Sequence, residues 1–169
     1  MASDALTTGW RSSIQKEDGL NTADALPTRS GPRPKTIGPN PHAQVSDQSP
    51  PDLWDALAAR ALALDGVHGG DSLVSVPGAV AFILDELSAA GPPEAFQAER
   101  EFAHLHPVAD GSLHMTLPTD LARAAFDAGW GEPHPRSGTP LIFGPRDEDE
   151  LNVVWLLLQA SYAFAKGEY

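Results

Sequence analysis

Three histidines fall in two short segments, Glu101-Phe102-Ala103-His104-Leu105-His106 and Ser112-Leu113-His114-Met115-Thr116-Leu117. Imidazole titrates near neutrality, so it can take or give a proton, and in its neutral form it ligates metal. Side chains two apart on a strand share a face, about 7 Å from one another. If Leu105, Leu113, Met115 and Leu117 enter a core, then Phe102, His104 and His106 on one strand and His114 and Thr116 on the other share the opposite face. Pro107-Val108-Ala109-Asp110-Gly111 between the segments supplies a hairpin loop. A register that sets His114 opposite His104 or His106 gathers the three rings. A one-residue slip would put Leu105 opposite His114 and scatter them. Hydrophobic patterning predicts the gathered arrangement.

Three uses of such a face stay open. Neutral imidazoles with an open fourth position suit zinc, and iron or copper also accept them. One ring could instead act as a general base without metal. The third possibility is a hydrogen-bonded, inert polar surface. Metal is the less favoured of the two active readings, because alternation turns Glu101 away from the histidines and Asp110 sits in the turn.

The segment Gly129-Trp130-Gly131-Glu132-Pro133-His134-Pro135 reads as a rigid loop. Trp130 could stack on a flat ligand there and Glu132 or His134 could add a polar contact, or the segment could simply end a helix and connect it onward. His114-Met115-Thr116 matches the His-x-Thr element of two-histidine phosphoesterases, but a second such element is missing. The acidic run Asp147–Glu150 is what a helix dipole attracts to a first turn. The Trp155/Tyr162 stripe is expected in a core. No glycine-rich phosphate loop, Walker element or Gly-x-Ser-x-Gly elbow occurs in the sequence.

The elements needed to position the hairpin follow from periodicity. Asp52 is a candidate N-cap for a helix carrying Leu53, Leu57, Ala61 and Leu64 up to Gly66. Leu73, Val74 and Val76 suggest a short strand, and Val80–Leu84 a second one after the Pro77-Gly78 turn. Thr119 is expected to cap a helix closed by Gly129 as its C′ residue. Leu141–Phe143 reads as a strand. Asp147 and Glu150 fit a capping box opening the longest helix, with Leu151, Val154, Trp155, Leu158, Tyr162 and Ala165 on one stripe. The sum is an α+β domain over 51–169: a small, mostly antiparallel sheet packed with about three helices. Residues 1–50 hold six prolines and no sustained period, so they are expected to form a disordered Pro/Gly-rich tail.

The chain has no cysteine, which excludes disulfides and a thiol nucleophile. Residues 1–50 carry five basic and five acidic side chains, so the net charge of −12 lies on residues 51–169. Such a surface repels phosphate backbones, and nucleic acid is not an expected partner. The sequence shows neither a secretory signal nor a membrane-length apolar run, so a cytoplasmic protein with a small-molecule ligand is expected.

Taken in order, Ser75-Val76-Pro77-Gly78-Ala79, GPPEAF (Gly91–Phe96), EFAHLHP with DGSLH (Glu101–His114), GWGEPHP (Gly129–Pro135) and the closing helix resemble the luciferase-domain family. That family is named for the luciferases of luminous fungi and includes many bacterial members. The likeness runs from about Leu53 to Phe164. Fungal members oxidise a hydroxypyrone, 3-hydroxyhispidin, with molecular oxygen and emit light. The resemblance therefore implies a small aromatic or hydroxypyrone substrate with molecular oxygen as co-substrate. His104, His106 and His114 would be the catalytic face, or the ligands of any metal. Phe102 and Trp130 would form an apolar wall, and Thr116, Glu132 and His134 would supply polar contacts. A non-catalytic small-molecule binding domain and a hydrolase with a three-histidine metal are the alternatives.

Overall fold

The structure is a computed structural model that describes residues 22–169. Its centre is a six-stranded sheet of β3 (Val67–Asp71), β4 (Val80–Leu84), β5 (Glu101–Leu105), β6 (Leu113–Met115), β7 (Gly131–Pro133) and β8 (Pro140–Ile142). The order is β3-β4-β5-β6-β8-β7 and every pairing is antiparallel. Three helices support it: α1 (Pro51–Leu62), α2 (Thr119–Asp127) and α3 (Glu148–Lys166). The expected α+β architecture is borne out.

The central strands β5 and β6 are buried along their whole length. Their aliphatic residues Leu105, Leu113 and Met115 join one core with Leu57 and Ala61 of α1 and Leu151, Val154 and Leu158 of α3. Trp54 of α1 also donates its indole N–H to the His106 carbonyl at 2.7 Å, tying that helix to the hairpin. Asp147 caps α3 by accepting from the Glu150 N–H at 2.9 Å, as the sequence predicts. Gly129 follows α2 at φ +84°, a conformation that L side chains rarely adopt. The Trp155/Tyr162 stripe packs partly buried against the core.

Several boundaries differ from the sequence reading. The helix expected to be capped by Asp52 starts at Pro51, after Pro50. Thr119 is the first residue of α2, not its cap. The strand expected at Leu73–Val76 lies earlier, at β3, whose glycines hide its pattern while its full length pairs with β4. Leu73 and Val74 are instead exposed. Part of the expected Gly129–Pro135 loop forms the edge strand β7, where Gly131 is required because a Cβ would come within 2.1 Å of the Leu141 carbonyl oxygen.

The largest correction concerns the expected tail. Its residues 1–21 lie outside the described residues, but from Leu26 to Pro50 the chain is a strap laid across β7, β8 and the start of α3. It forms a two-stranded ribbon of β1 (Thr36–Ile37) and β2 (Ala43–Gln44). Arg29 reaches the buried Glu150 carboxylate at 3.3 Å, and Arg146 donates to the Ser30 carbonyl at 2.6 Å. Trp130 donates to the Pro27 carbonyl at 2.6 Å, and the Gly144 N–H donates to the Gln44 side chain at 2.9 Å. Polar contacts hold the strap, so hydrophobic periodicity carries no trace of it.

Candidate functional site

The hairpin register is the one patterning favours: His104 pairs with His114, Leu105 with Leu113 and Ala103 with Met115. His104, His106 and His114 are all buried, and one nitrogen from each ring lies within 4.8 Å of the others. Two of the separations are short. His104 Nε2 and His106 Nε2 each stand 3.2 Å from His114 Nδ1.

Each outer ring is anchored by a carboxylate that the sequence reading set aside. Glu101 was expected to face away, yet its Oε1 accepts from His104 Nδ1 at 2.7 Å. The cause is a bulge in β5. Phe82 pairs with Ala103 and Ile83 with Glu101, leaving Phe102 as the extra residue. A bulge reverses the alternation beyond it, so Glu101 joins the histidine face and Phe102 turns into the core, 6.0 Å from the Tyr162 ring. Asp110, in the turn, folds back to accept from His106 Nδ1 at 2.8 Å.

A third carboxylate acts through a histidine from the strap. His42 Nε2 donates to Glu132 at 2.8 Å, and His42 Nδ1 lies 3.0 Å from His114 Nε2. Glu132 also accepts from Arg33 at 2.5 Å and from Thr36 at 2.7 Å. His134 sits beside this pair, its ring centroid 5.1 Å from His42 and 5.8 Å from His114. Its two nitrogens are already used: Nε2 donates to the Pro39 carbonyl, and Nδ1 accepts from the Arg136 and Ser137 N–H groups.

The electrostatics favour the charged form of the Glu101 and Asp110 carboxylates and the neutral form of His104 and His114. Burial works to raise the Glu101 carboxyl, but hydrogen bonds from His104, Ser72 and the Leu73 N–H hold it below its ordinary range. Asp110 is held low in the same way, its burial outweighed by His106 and Ser112. Burial lowers His104 despite the opposing pull of Glu101. Burial, reinforced by the His104, His106, His42 and His134 rings, pushes His114 down to about 2.

These rings form the floor of a cavity of about 870 Å³. Exposed residues Val74, Pro77, Glu94 and Ser137 stand at its rim, so the cavity communicates with solvent. Five of the six histidines line it; the sixth, His68, is exposed and 3.4 Å from Asp85. Of the residues expected to bind substrate, His134 and Thr116 line the cavity, although the Thr116 hydroxyl is committed to the Ala95 carbonyl at 2.7 Å. Glu132 stands behind His42. Phe102 and Trp130 are buried in the core and do not line the cavity, so they are not its apolar wall. Phe96, Leu117 and Val76 take that place. The residues missed are Glu101, Asp110 and His42. Asp110, four residues after His106 in a turn, had a local signal; the other two had none.

The resemblance read from the motifs is borne out by comparison with known proteins. The luciferase-domain family model matches residues 99–161, which include the whole hairpin and β7 but not His42. A luciferase of Armillaria mellea is 28% identical over 168 residues, covering 85% of this chain and 62% of its own length. A luciferase of Armillaria ostoyae is 26% identical with the same coverage. One from Neonothopanus nambi is 28% identical over 81 residues, 43% of this chain and 30% of its own length. The chain thus spans about 62% of the length of the Armillaria relatives it matches. No solved structure matches it.

Proposed function

We propose that this luciferase-domain protein is an oxygen-dependent oxidase or oxygenase of a small, flat enolic or phenolic compound, a hydroxypyrone being the type the resemblance suggests. The observation that carries the reading is a solvent-connected cavity floored by three imidazoles, with an apolar wall of Phe96, Leu117 and Val76 to receive a ring. A volume of about 870 Å³ suits a compound of two or three rings. The similarity to fungal luciferases supports the same class of chemistry.

In this reading the enol hydroxyl docks at the histidine floor and gives up its proton to Nε2 of His104 or His106, the rings backed by Glu101 and Asp110. The resulting anion is electron-rich at carbon. Its electron pair forms the new carbon–oxygen bond to dioxygen, which is reduced to the peroxide level. The proton then returns to the distal oxygen to give a hydroperoxide. The protein supplies a proton acceptor, an apolar wall beside it, and a shape that holds the ring over the acceptor.

Oxygen uptake with hydroxypyrones and catechols tests the reading. Wild type should consume oxygen, and His104→Ala or His114→Ala should slow it by about a hundred- to ten-thousand-fold, the range for losing a positioned acid–base group. Ligand-dependent thermal stabilisation without oxygen uptake would identify a binding module instead. Equal turnover by both variants and wild type would move the chemistry elsewhere.

A further inference from the structure

The three hairpin histidines present more unshared electron pairs to one point than their protons can satisfy, and we infer that the point is a metal site for a divalent first-row transition ion. The count follows from what lies behind each ring. Glu101 and Asp110 are carboxylates that already accept from Ser72, the Leu73 N–H and Ser112. A carboxylate only accepts, so His104 and His106 carry their protons on Nδ1. Neutral rings then leave Nε2 of both without a proton.

The longer relay bears on His114. Glu132 accepts, so His42 carries a proton on Nε2, and with a single proton on that ring its Nδ1 accepts from His114 Nε2. Neutral His114 therefore has a bare Nδ1. Three electron pairs face each other, with two nitrogen separations of 3.2 Å. No hydrogen bond can form between two acceptors. Ligands about 2.0–2.1 Å from a tetrahedral ion stand about 3.3 Å apart, close to two of the three separations here.

Charge gives a second, independent reason. Glu101 is buried and Asp110 half-buried, and among the described residues their only ion-pair partners are His104 and His106, neither of them a permanent cation. Two negative charges in a buried cluster without a cation are costly. One divalent ion bound by the inner nitrogens balances both. The arrangement of carboxylate behind histidine is also the usual second layer of a metal centre, where it sets the tautomer and raises ligand basicity. Imidazole donors without thiolates or inner carboxylates select zinc, iron, cobalt, nickel or copper over magnesium and calcium. All three rings line the cavity, the side from which a substrate oxygen would reach the ion. The inference rests on the proposed function only for what the ion would do there, which is to bind the substrate oxygen and hold it as the anion.

The test uses the full chain, purified without a metal column or chelator. Metal analysis should find about one equivalent of a transition ion. After stripping, cobalt(II) should titrate to one equivalent with a visible absorption band and raise the melting temperature. The paired substitution Glu101→Gln with Asp110→Asn should weaken cobalt binding by about 10–100-fold. His106→Ala should abolish the band while circular dichroism stays that of the folded chain. Absence of the band in folded wild type, or an equal band in His106→Ala, overturns the site. Metal binding without oxygen uptake would sink only the oxidation reading. Oxygen uptake undiminished in stripped protein would sink only the ion's part in the oxidation.

Discussion

Each imidazole at the centre of the hairpin has its proton placed by the group behind it, and that placement carries the chemistry. His42 shows how far the control extends. Its Nδ1 lies 3.0 Å from His114 Nε2, and accepting from that nitrogen leaves the other nitrogen of the ring bare. Replacing His42 with Ala frees His114 to take the other tautomer, whose N–H would satisfy its neighbours and close the site. We expect His42→Ala to lower turnover by about 10–100-fold, the range for losing a supporting partner of a metal or catalytic histidine. His42→Asn, whose amide oxygen can still accept, should restore part of it. Oxygen uptake and cobalt affinity should move together; a loss of one without the other would separate the two roles.

Two elements place these residues, and they differ in how visible they are in the sequence. The hairpin was legible because its aliphatic residues alternate and Asp110-Gly111 marks the turn, so register and convergence of His104, His106 and His114 followed from pattern alone. The bulge at Phe102 was not legible. Every residue there is compatible with a regular strand, and only the pairing with Phe82 and Ile83 decides which one is extra. The strap was hidden for another reason: its anchors are polar groups whose partners lie far along the chain, Arg29 with Glu150, 121 residues apart, foremost. Phe102→Ala should cost about 3–5 kcal/mol by opening a cavity in the core, measured by urea unfolding. Glu150→Gln should cost about 3–5 kcal/mol by leaving Arg29 buried without its partner. The sign of its pH dependence follows from Glu150, whose burial is outweighed by Arg146 and Arg29 so that its folded pKa lies below the ordinary 4.5. Its contribution is present above pH 4.5 and is lost as pH falls through the folded value. The stability gap between wild type and Glu150→Gln should therefore narrow on acidification; a constant gap would mean the pair is not ionic.

At the scale of the whole molecule, the domain does not begin where the composition changes. The strap supplies His42, covers β7 and β8, and buries Arg29, so residues 22–50 belong to the same folding unit as the sheet. A chain starting at Pro51 should lose cooperative unfolding and cobalt binding together, whereas a freely attached leader could be removed without either effect. The charge has a separate consequence. With 18 acidic against six basic side chains, residues 51–169 repel polyanions, and electrostatic attraction to DNA should be undetectable at about 0.15 M salt. Among the described residues no helix is long and apolar enough to cross a membrane. The Armillaria relatives are longer than this chain, and the stretch matched by the family model, residues 99–161, includes the hairpin that carries His104, His106 and His114.

The proton positions can be read directly by nitrogen-15 NMR of the histidine rings in metal-stripped protein near neutral pH. The account predicts His104 and His106 as neutral rings protonated on Nδ1, and His114 as a neutral ring protonated on Nε2. A His114 protonated on Nδ1, or any of the three rings carrying both protons, would contradict it.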